Sequence, residues 1–308
     1  MRDNRIILEA KRETLKTRAR VIEGIRHFFN LREYLEVTTP VRIPAPAPEP
    51  HIDAVPSGGW FLQTSPEIAM KRLLAAGYGK IFQICPCFRA EERGARHLPE
   101  LTMLEWYAPA VDYRSMMALC EDLVLFLSRH LGRGDTVSYG GQRVALESPW
   151  ERITVNEAFL LYSGHTAEDA LRRGAFDEEI AFVVEPALPK DRPVILYDYP
   201  ASQAALARLK PGDPTVAERF EIYIGGLEIA NAFTELTDQA EQRARFLRDR
   251  DERKNSGKTD YPLPEPFLRE LEHMPPASGV ALGVDRLVML FTGAAAIDGV
   301  VAFTPETL

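Results

Sequence analysis

Charged side chains stand in three stretches of this sequence where their surroundings are mainly apolar. In "FRAEERGARHLPELTMLEWY" (residues 88–107), Glu105 lies within an apolar run, where burial of an unpaired carboxylate costs several kcal/mol. If the stretch forms two strands, alternation places Arg89 and Glu91 on one face, together with Glu105 and Tyr107. That face could bind a charged ligand. An internal salt bridge between Arg89 and Glu105 would explain the pattern equally well.

The second stretch, "RFEIYIGGLEIANAFTEL" (residues 219–236), contains two glutamates and a turn signal. Gly225–Gly226 between apolar runs predicts a two-residue hairpin turn, which places Glu221 opposite Ala230. Glu221 and Glu228 then lie diagonally on one face, roughly 5–8 Å apart. Two carboxylates at this separation suit Mg²⁺, particularly if phosphates complete its coordination. The alternative is an acidic pair that faces solvent.

The same strand carries polar residues further along, and alternation separates them from Glu228. Asn231, Phe233 and Glu235 fall on the opposite face if the strand is regular. If all of them serve one site, the strand must contain a β-bulge near Ala230.

The third stretch is "SGVALGVDRLVMLFTG" (residues 278–293), which predicts a short strand followed by a buried helix. Asp285 could cap that helix, and Arg286 would lie in its first turn. The helix dipole disfavours a cation there by about 0.3–1 kcal/mol. Arg286 therefore needs an anionic partner, either a phosphate chain or a nearby glutamate.

Composition indicates which classes of protein remain. The chain has 308 residues, of which 45% are apolar, and a net charge of −8. We find no apolar run of about 18 residues, and the N-terminus is too polar for a signal peptide, so we expect a cytoplasmic protein without a membrane span. The one basic cluster, residues 243–258, is interleaved with acids, which does not favour nucleic-acid binding.

The elements that position these stretches can be predicted from periodicity and capping signals. Apolar spacing predicts a helix over about residues 8–35, and Ser65, Pro66 and Glu67 form a helix start. The remaining predictions are strands at 81–91 and 100–108, a helix at 113–131, and a less patterned helical elaboration at 132–215. We expect a single domain over residues 1–308.

In this order and spacing, the stretches resemble the three signature motifs of class II aminoacyl-tRNA synthetases. "LREYLEVTTP" is similar to motif 1, "FRAEERGARHLPE" to motif 2 and "GVALGVDR" to motif 3, while "TSPEIAMKRLL", "TMLEWY" and "GGLEIANAFTEL" resemble the lysyl branch. Lysyl-tRNA synthetases carry an anticodon-binding domain before motif 1, and we expect none here because few residues precede "LREYLEVTTP". The chain therefore resembles the elongation factor P–lysine ligase family, in which alanine stands where lysyl-tRNA synthetases have glycine, here at Ala281.

The resemblance implies an α+β fold, with an antiparallel sheet flanked by helices and ATP lying across the sheet. It implies ATP-dependent activation of (R)-β-lysine or lysine, with Mg²⁺, and transfer to a lysine side chain of elongation factor P. It also implies a homodimer through residues around 20–45, with tRNA an unlikely partner.

Family roles carry over by position. Arg89 and Arg286 would be catalytic, on the α- and γ-phosphates, and Glu221 and Glu228 would hold Mg²⁺. The ATP-binding set would be Arg89, Ala90, Glu91, His97, Leu98, Leu101, Glu228, Ile229 and Arg286. The amino-acid pocket would comprise Ser65, Pro66, Glu67, Glu105, Tyr107, Asn231, Phe233, Glu235 and Ala281, with Glu105, Tyr107 and Glu235 around the ε-ammonium.

Three positions depart from the family pattern. Leu98 replaces an asparagine that contacts ATP, Leu101 replaces the phenylalanine that stacks on adenine, and Ala232 replaces a usual glycine. Leu98 and Leu101 keep a non-catalytic synthetase paralogue open as an alternative, and the main rival function is a free-standing ligase that charges tRNA. The sequence names no general base for the transfer step.

Overall fold

A mixed nine-stranded sheet forms the centre of the fold in the computed structural model, which describes residues 4–308. The strands are β1 Leu35–Glu36, β2 Arg42–Ile43, β3 Pro56–Ser57, β4 Trp60–Leu62, β5 Ile81–Phe88, β6 Glu100–Pro109, β7 Thr136–Tyr139, β8 Gln142–Ala145, β9 Glu151–Thr154, β10 Val194–Pro200, β11 Leu209–Lys210, β12 Asp213–Ile224, β13 Leu227–Thr234 and β14 Ala277–Gly283.

The strand order in the main sheet is β1-β5-β6-β14-β13-β12-β10-β9, and β11 pairs with β12 outside this path. All pairs are antiparallel except β1–β5 and β9–β10 at the two edges. Strands β2, β3 and β4 form a small separate sheet, and β7 and β8 form a hairpin.

Eleven α-helices lie around the sheet in the described part of the chain. They are α1 Asn4–Ala10, α2 Arg12–Asn30, α3 Glu67–Ala75, α4 Tyr113–His130, α5 Val155–Tyr162, α6 Ala167–Arg172, α7 Phe176–Glu179, α8 Glu185–Ala187, α9 Gln239–Asn255, α10 Glu265–Glu270 and α11 Val284–Thr292. The prediction of an α+β fold with an antiparallel sheet and flanking helices is therefore confirmed.

The main hydrophobic core lies between one face of the sheet and helices α2, α4 and α11, which pack against it. Leu104 and Trp106 of β6 point into this core, whereas Glu105 and Tyr107 point to the other face. The predicted alternation along this strand is thus confirmed. Helix α2 contributes four fully buried side chains at helical spacing, Val21, Ile25, Phe28 and Phe29.

Two predicted elements, the first helix and strand β5, extend too far toward their C-terminal ends. The single helix predicted over about residues 8–35 is two helices, α1 and α2, and α2 ends at Asn30, three residues before Glu33 takes a left-handed backbone conformation (φ 61°). Strand β5 ends at Phe88, and Glu91 is also left-handed (φ 64°). Because the chain turns before Glu91, strand alternation does not extend to it. The prediction that Glu91 shares a strand face with Arg89 is wrong.

The 132–215 region contains more strand than expected. Helices α5–α8 form a local cluster with its own small core, but β9, β10 and β12 join this region to the main sheet. The longest strand that lies wholly within this region is β10, Val194–Pro200.

The Gly225–Gly226 hairpin forms as predicted, because both glycines have positive φ (61° and 78°), as a type I′ turn requires. The register then shifts between Ile222 and Tyr223, so that Glu221 pairs with Asn231 instead of Ala230. The predicted bulge is thus present, and the predicted pairing of Glu221 with Ala230 is wrong by one residue. Its effect is to return Asn231 to the face that carries Glu228.

The junction of β14 and α11 places Arg286 in the first helical turn, as predicted. Asp285, however, does not cap the helix: Gly283 is the N-cap residue, and the Asp285 carboxylate accepts hydrogen bonds from Arg18 (2.5 Å) and from the Thr102 backbone (2.7 Å). Within residues 4–308, no helix is both long and apolar enough to cross a membrane.

Candidate active site

One cavity of about 260 Å³ opens on the face of the sheet opposite the main core. Its walls come from β6, β13 and β14, the start of α3, the loop before β3 and the loop between β5 and β6. Fifteen predicted site residues line it: Ser65, Glu67, Arg89, His97, Leu98, Leu101, Glu105, Tyr107, Glu228, Ile229, Asn231, Phe233, Glu235, Ala281 and Arg286. The structure therefore brings most of the predicted site residues together in one cavity, and their individual roles stay predictions.

Four predicted site residues are not among the lining residues that the structure describes: Pro66, Ala90, Glu91 and Glu221. Pro66 precedes α3, and the Ala90 amide donates to the Asp53 carbonyl (2.6 Å). Glu91 is exposed, because the backbone turns there, and the next residue, Glu92, lines the cavity instead.

The amino-acid end of the cavity, defined here as Ser65, Glu67, Lys71, Glu105, Tyr107 and Glu235, is deeply buried. Glu105 accepts hydrogen bonds from Ser65 Oγ (2.5 Å) and Tyr107 Oη (2.8 Å). Ser65 Oγ also accepts from the Glu67 amide (3.0 Å), but the N-cap residue of α3 is Pro66 and not Ser65, so the predicted helix start is shifted by one residue. The open alternative of an Arg89–Glu105 salt bridge is not what the structure shows.

Lys71 is the residue at this end that sequence reasoning missed. Its ammonium is fully buried and lies 2.5 Å from both Glu67 Oε1 and Glu235 Oε2. Burial would lower the pKa of Lys71, but Glu235 and Glu67 raise it above its ordinary value. Its position four residues after Glu67, on the same helix face, was the available signal.

Two carboxyl groups at this end have raised pKa values. Burial, and then the neighbouring Glu67, raise the pKa of Glu105 to about 8. Burial also raises the pKa of Glu235 to about 8, although Lys71 opposes the shift. Both Glu235 carboxylate oxygens are buried; Oε2 contacts Lys71, and Oε1 has no hydrogen-bond partner among the described residues. Unsatisfied buried carboxylates of this kind favour a cationic ligand.

The nucleotide end of the cavity, defined here as Arg89, Glu92, His97, Leu98, Leu101, Glu228 and Arg286, holds its cations more loosely. Arg89 lies 3.7 Å from Glu92, and its buried Nε has no hydrogen-bond partner in the described chain. Arg286 donates to the Glu228 carboxylate (3.0 Å) and carbonyl (2.8 Å), and lies 2.6 Å from His97 Nε2. Burial and then Arg286 lower the pKa of His97.

Comparison with known proteins agrees with this geometry. The family model described as tRNA synthetases class II (D, K and N) matches residues 4–307. The chain belongs to this family. It is 42% identical to the elongation factor P–(R)-β-lysine ligase of Edwardsiella ictaluri, with 95% of each chain covered. It is 40% and 42% identical to proteins of the same name from Pseudoalteromonas translucida and Mannheimia succiniciproducens, with 94% of each chain covered.

The carboxylates predicted to hold Mg²⁺ are partly engaged by the protein. Glu221 accepts from Arg219 (2.6 Å) and Tyr223 Oη (2.6 Å), and Glu228 contacts Arg286. Burial, then Glu221 and Glu228, raise the pKa of nearby Glu185 to about 7, which shows that negative charge concentrates here. Within residues 4–308 we find no group of three or more His, Cys, Asp or Glu side chains arranged to hold a metal. This donor set fits Mg²⁺ that arrives with phosphate oxygens, and does not fit a metal held by protein alone.

Proposed function

We propose that this protein is an ATP-dependent ligase that activates (R)-β-lysine, or lysine, as an aminoacyl adenylate and transfers it to a lysine side chain of elongation factor P. The observation that supports the substrate class is the charge at the amino-acid end. Three carboxylates (Glu67, Glu105 and Glu235) face one internal ammonium (Lys71), so two negative charges remain when all are ionised. Lysine and β-lysine each carry two ammonium groups.

The substrate carboxylate would lie at the opposite side of this arrangement, on Arg89. Arg89 fits because its Nε is buried without a partner and its contact with Glu92 is long. In the first step the carboxylate is already ionised at pH 7 and attacks the α-phosphate, so positioning and charge neutralisation dominate over acid–base help. Arg89 and Arg286 supply that positive charge as catalytic residues.

At the nucleotide end we assign ATP to Arg89, His97, Leu98, Leu101, Glu228, Ile229 and Arg286, whereas Ala90 and Glu91, also predicted for ATP, are not among the lining residues. Glu228, with Glu221 behind it, would hold Mg²⁺ through carboxylate oxygens, and the bound ion would neutralise phosphate charge. Arg286, which contacts Glu228 in this structure, would meet the γ-phosphate. Leu98 and Leu101 give adenine an apolar surface without an aromatic ring.

The remaining assignments concern specificity and assembly. Ala281 pairs with Glu105 on one side and Asn231 on the other, so its methyl group lies beside the amino-acid end and would favour a β-amino group over an α-amino group. We also propose a cytoplasmic homodimer with an interface around residues 20–45, where Leu31 and Leu35 are exposed by 62% and 52%. Small-angle scattering that returns a monomer would contradict the dimer.

The deciding experiment is the intact mass of elongation factor P after incubation with this protein, ATP, Mg²⁺ and either (R)-β-lysine or L-lysine. We expect a gain of one lysyl unit, larger with the β-isomer, and a smaller β-preference for Ala281→Gly. Arg89→Ala serves as the inactive control. Charging of tRNA in a parallel tube without any gain on elongation factor P would instead support a tRNA ligase, and transfer to neither would support a non-catalytic paralogue.

A further inference from the structure

The proposed function leaves the transfer step without a base. An acceptor lysine has a pKa near ~10.4 in water, so only on the order of one side chain in two thousand is neutral at pH 7. The acceptor must lose a proton before its nitrogen can attack the adenylate carbonyl. A carboxylate near Arg89, where the proposed function places the carboxyl group of the substrate, could accept this proton.

Glu49 is a carboxylate on the same cavity wall as Arg89. It lines the cavity together with Glu67 and Arg89, but comes from the proline-rich loop before β3. Four charged side chains interact electrostatically with the Glu49 carboxylate. Glu67 on α3 and Arg89 after β5 line the cavity, whereas Arg219 on β12 and Asp249 on α9 lie outside it. No function has so far been assigned to this side chain.

The loop that carries Glu49 is anchored to the rest of the protein. Arg253, a fully buried side chain on α9, donates to the backbone carbonyls of Glu49 (2.8 Å) and Ile52 (2.9 Å) and to the Asp53 carboxylate (2.7 Å). The Asp53 carbonyl in turn accepts from the Ala90 amide, next to Arg89. These contacts hold the loop, and therefore the Glu49 backbone, at a fixed place on the cavity wall.

The Glu49 carboxylate is free to react. In the described part of the chain it makes neither a hydrogen bond nor an ion pair, whereas Glu67 is held by Lys71 and Glu92 is the acidic partner of Arg89. Burial, and then the charge of Glu67, raise the pKa of Glu49 to about 7, in spite of Arg89. A carboxylate with a pKa near the working pH is well suited to general-base catalysis.

Building on the proposed function, we propose that Glu49 is the general base that deprotonates the acceptor lysine. The ammonium of the acceptor passes one proton to the Glu49 carboxylate, and the neutral nitrogen attacks the adenylate carbonyl. The new C–N bond forms as the C–O bond to AMP breaks, and AMP leaves with that electron pair. The second nitrogen proton goes to the departing phosphate or to water.

The test is Glu49→Gln, with the two half-reactions measured separately. Enzyme-bound adenylate is formed from ATP and (R)-β-lysine, isolated, and mixed with elongation factor P in a single turnover. We expect transfer to fall by about 100-fold, because a general base contributes about 10²–10⁴-fold. ATP–pyrophosphate exchange, which reports adenylate formation, should stay within about twofold of wild type. Wild-type transfer should rise with pH through about 7, and the variant should lose this limb.

Hydroxylamine provides a nucleophile that needs no base, since it is neutral at pH 7. The variant should release hydroxamate from the adenylate at the wild-type rate. Glu49→Asp should transfer at an intermediate rate, and Glu147→Gln, which removes an exposed carboxylate outside the cavity, should transfer normally.

Three results would overturn the proposal: unchanged transfer by Glu49→Gln, an equal loss with hydroxylamine, or a loss of pyrophosphate exchange together with transfer. The last two would assign Glu49 to substrate binding or to structure. If the wild-type protein itself forms no adenylate, the proposed function fails, and this outcome is distinct from a failure of Glu49 as the base.

Discussion

The two ends of the cavity neutralise charge in different ways. At the amino-acid end, short contacts of 2.5–2.8 Å fix the carboxylates of Glu67, Glu105 and Glu235 around Lys71, Ser65 and Tyr107. At the nucleotide end, Arg89 is 3.7 Å from Glu92, and Arg286 is 3.0 Å from the half-buried Glu228. The first end is prearranged for a cation, whereas the second holds cations that an anion could draw away from their present partners.

This difference determines how each end should respond to change. A buried carboxylate that loses its charge leaves a ligand ammonium without a partner, and the cost is large because water cannot replace it. A half-exposed side chain at the nucleotide end can be replaced in part by water. We therefore expect large, charge-dependent effects at the amino-acid end and smaller, graded effects from the apolar residues at the nucleotide end.

The largest effect is expected for Glu105→Gln. Glu105 is 1% exposed, and removal of one partner of a buried charge pair costs about 2–5 kcal/mol. The KM for (R)-β-lysine in pyrophosphate exchange should rise by about 100-fold or more, while the KM for ATP changes little. Glu92→Gln, the control at the nucleotide end, should shift the KM for the amino acid by less than about fivefold. Equal shifts in the two variants would contradict the distinction between the ends.

The pH dependence of amino-acid binding tests the same end without mutation. Because the pKa of Glu105 and of Glu235 is about 8 in this structure, both are largely protonated at pH 6. A bound ammonium favours their ionised forms, so binding should release protons, and affinity should rise between pH 6 and 8 by about 50-fold for each carboxyl that ionises fully, and then level off. Calorimetry in two buffers with different ionisation enthalpies would measure the released protons. Binding that is independent of pH, with no proton release, would show that both carboxylates are already ionised.

Much of the fold and cavity could be predicted because it depends on local periodicity. Alternation along β6 correctly assigned Glu105 and Tyr107 to one face, and the need to bring Asn231 back beside Glu228 correctly required a bulge. Such inferences succeed because a strand's side chains follow a period of two, and a bulge shifts that period by one residue.

The features that could not be predicted depend on contacts distant in the chain. Glu49 lies in a proline-rich loop whose position is set by Arg253, about two hundred residues later. Lys71 has the spacing of an ordinary helix surface residue, and only the packing of α3 beneath Glu235 makes it buried. Glu91 was misplaced because a single left-handed residue redirects the chain after β5, and a glutamate there gives no turn signal in the sequence.

The smallest effect we expect is at Leu101, which lines the nucleotide end where the family has phenylalanine. Base–aromatic stacking is worth about 1–3 kcal/mol per base when measured against alanine, and leucine already supplies apolar contact, so we expect a gain of about 1 kcal/mol. Leu101→Phe should therefore lower the KM for ATP by about fivefold and leave the KM for the amino acid unchanged. Leu101→Met is the matched control, because it keeps the apolar volume without an aromatic face. If methionine improves ATP use as much as phenylalanine does, packing and not stacking limits nucleotide affinity, and the nucleotide end is less adaptable than its loosely held arginines indicate.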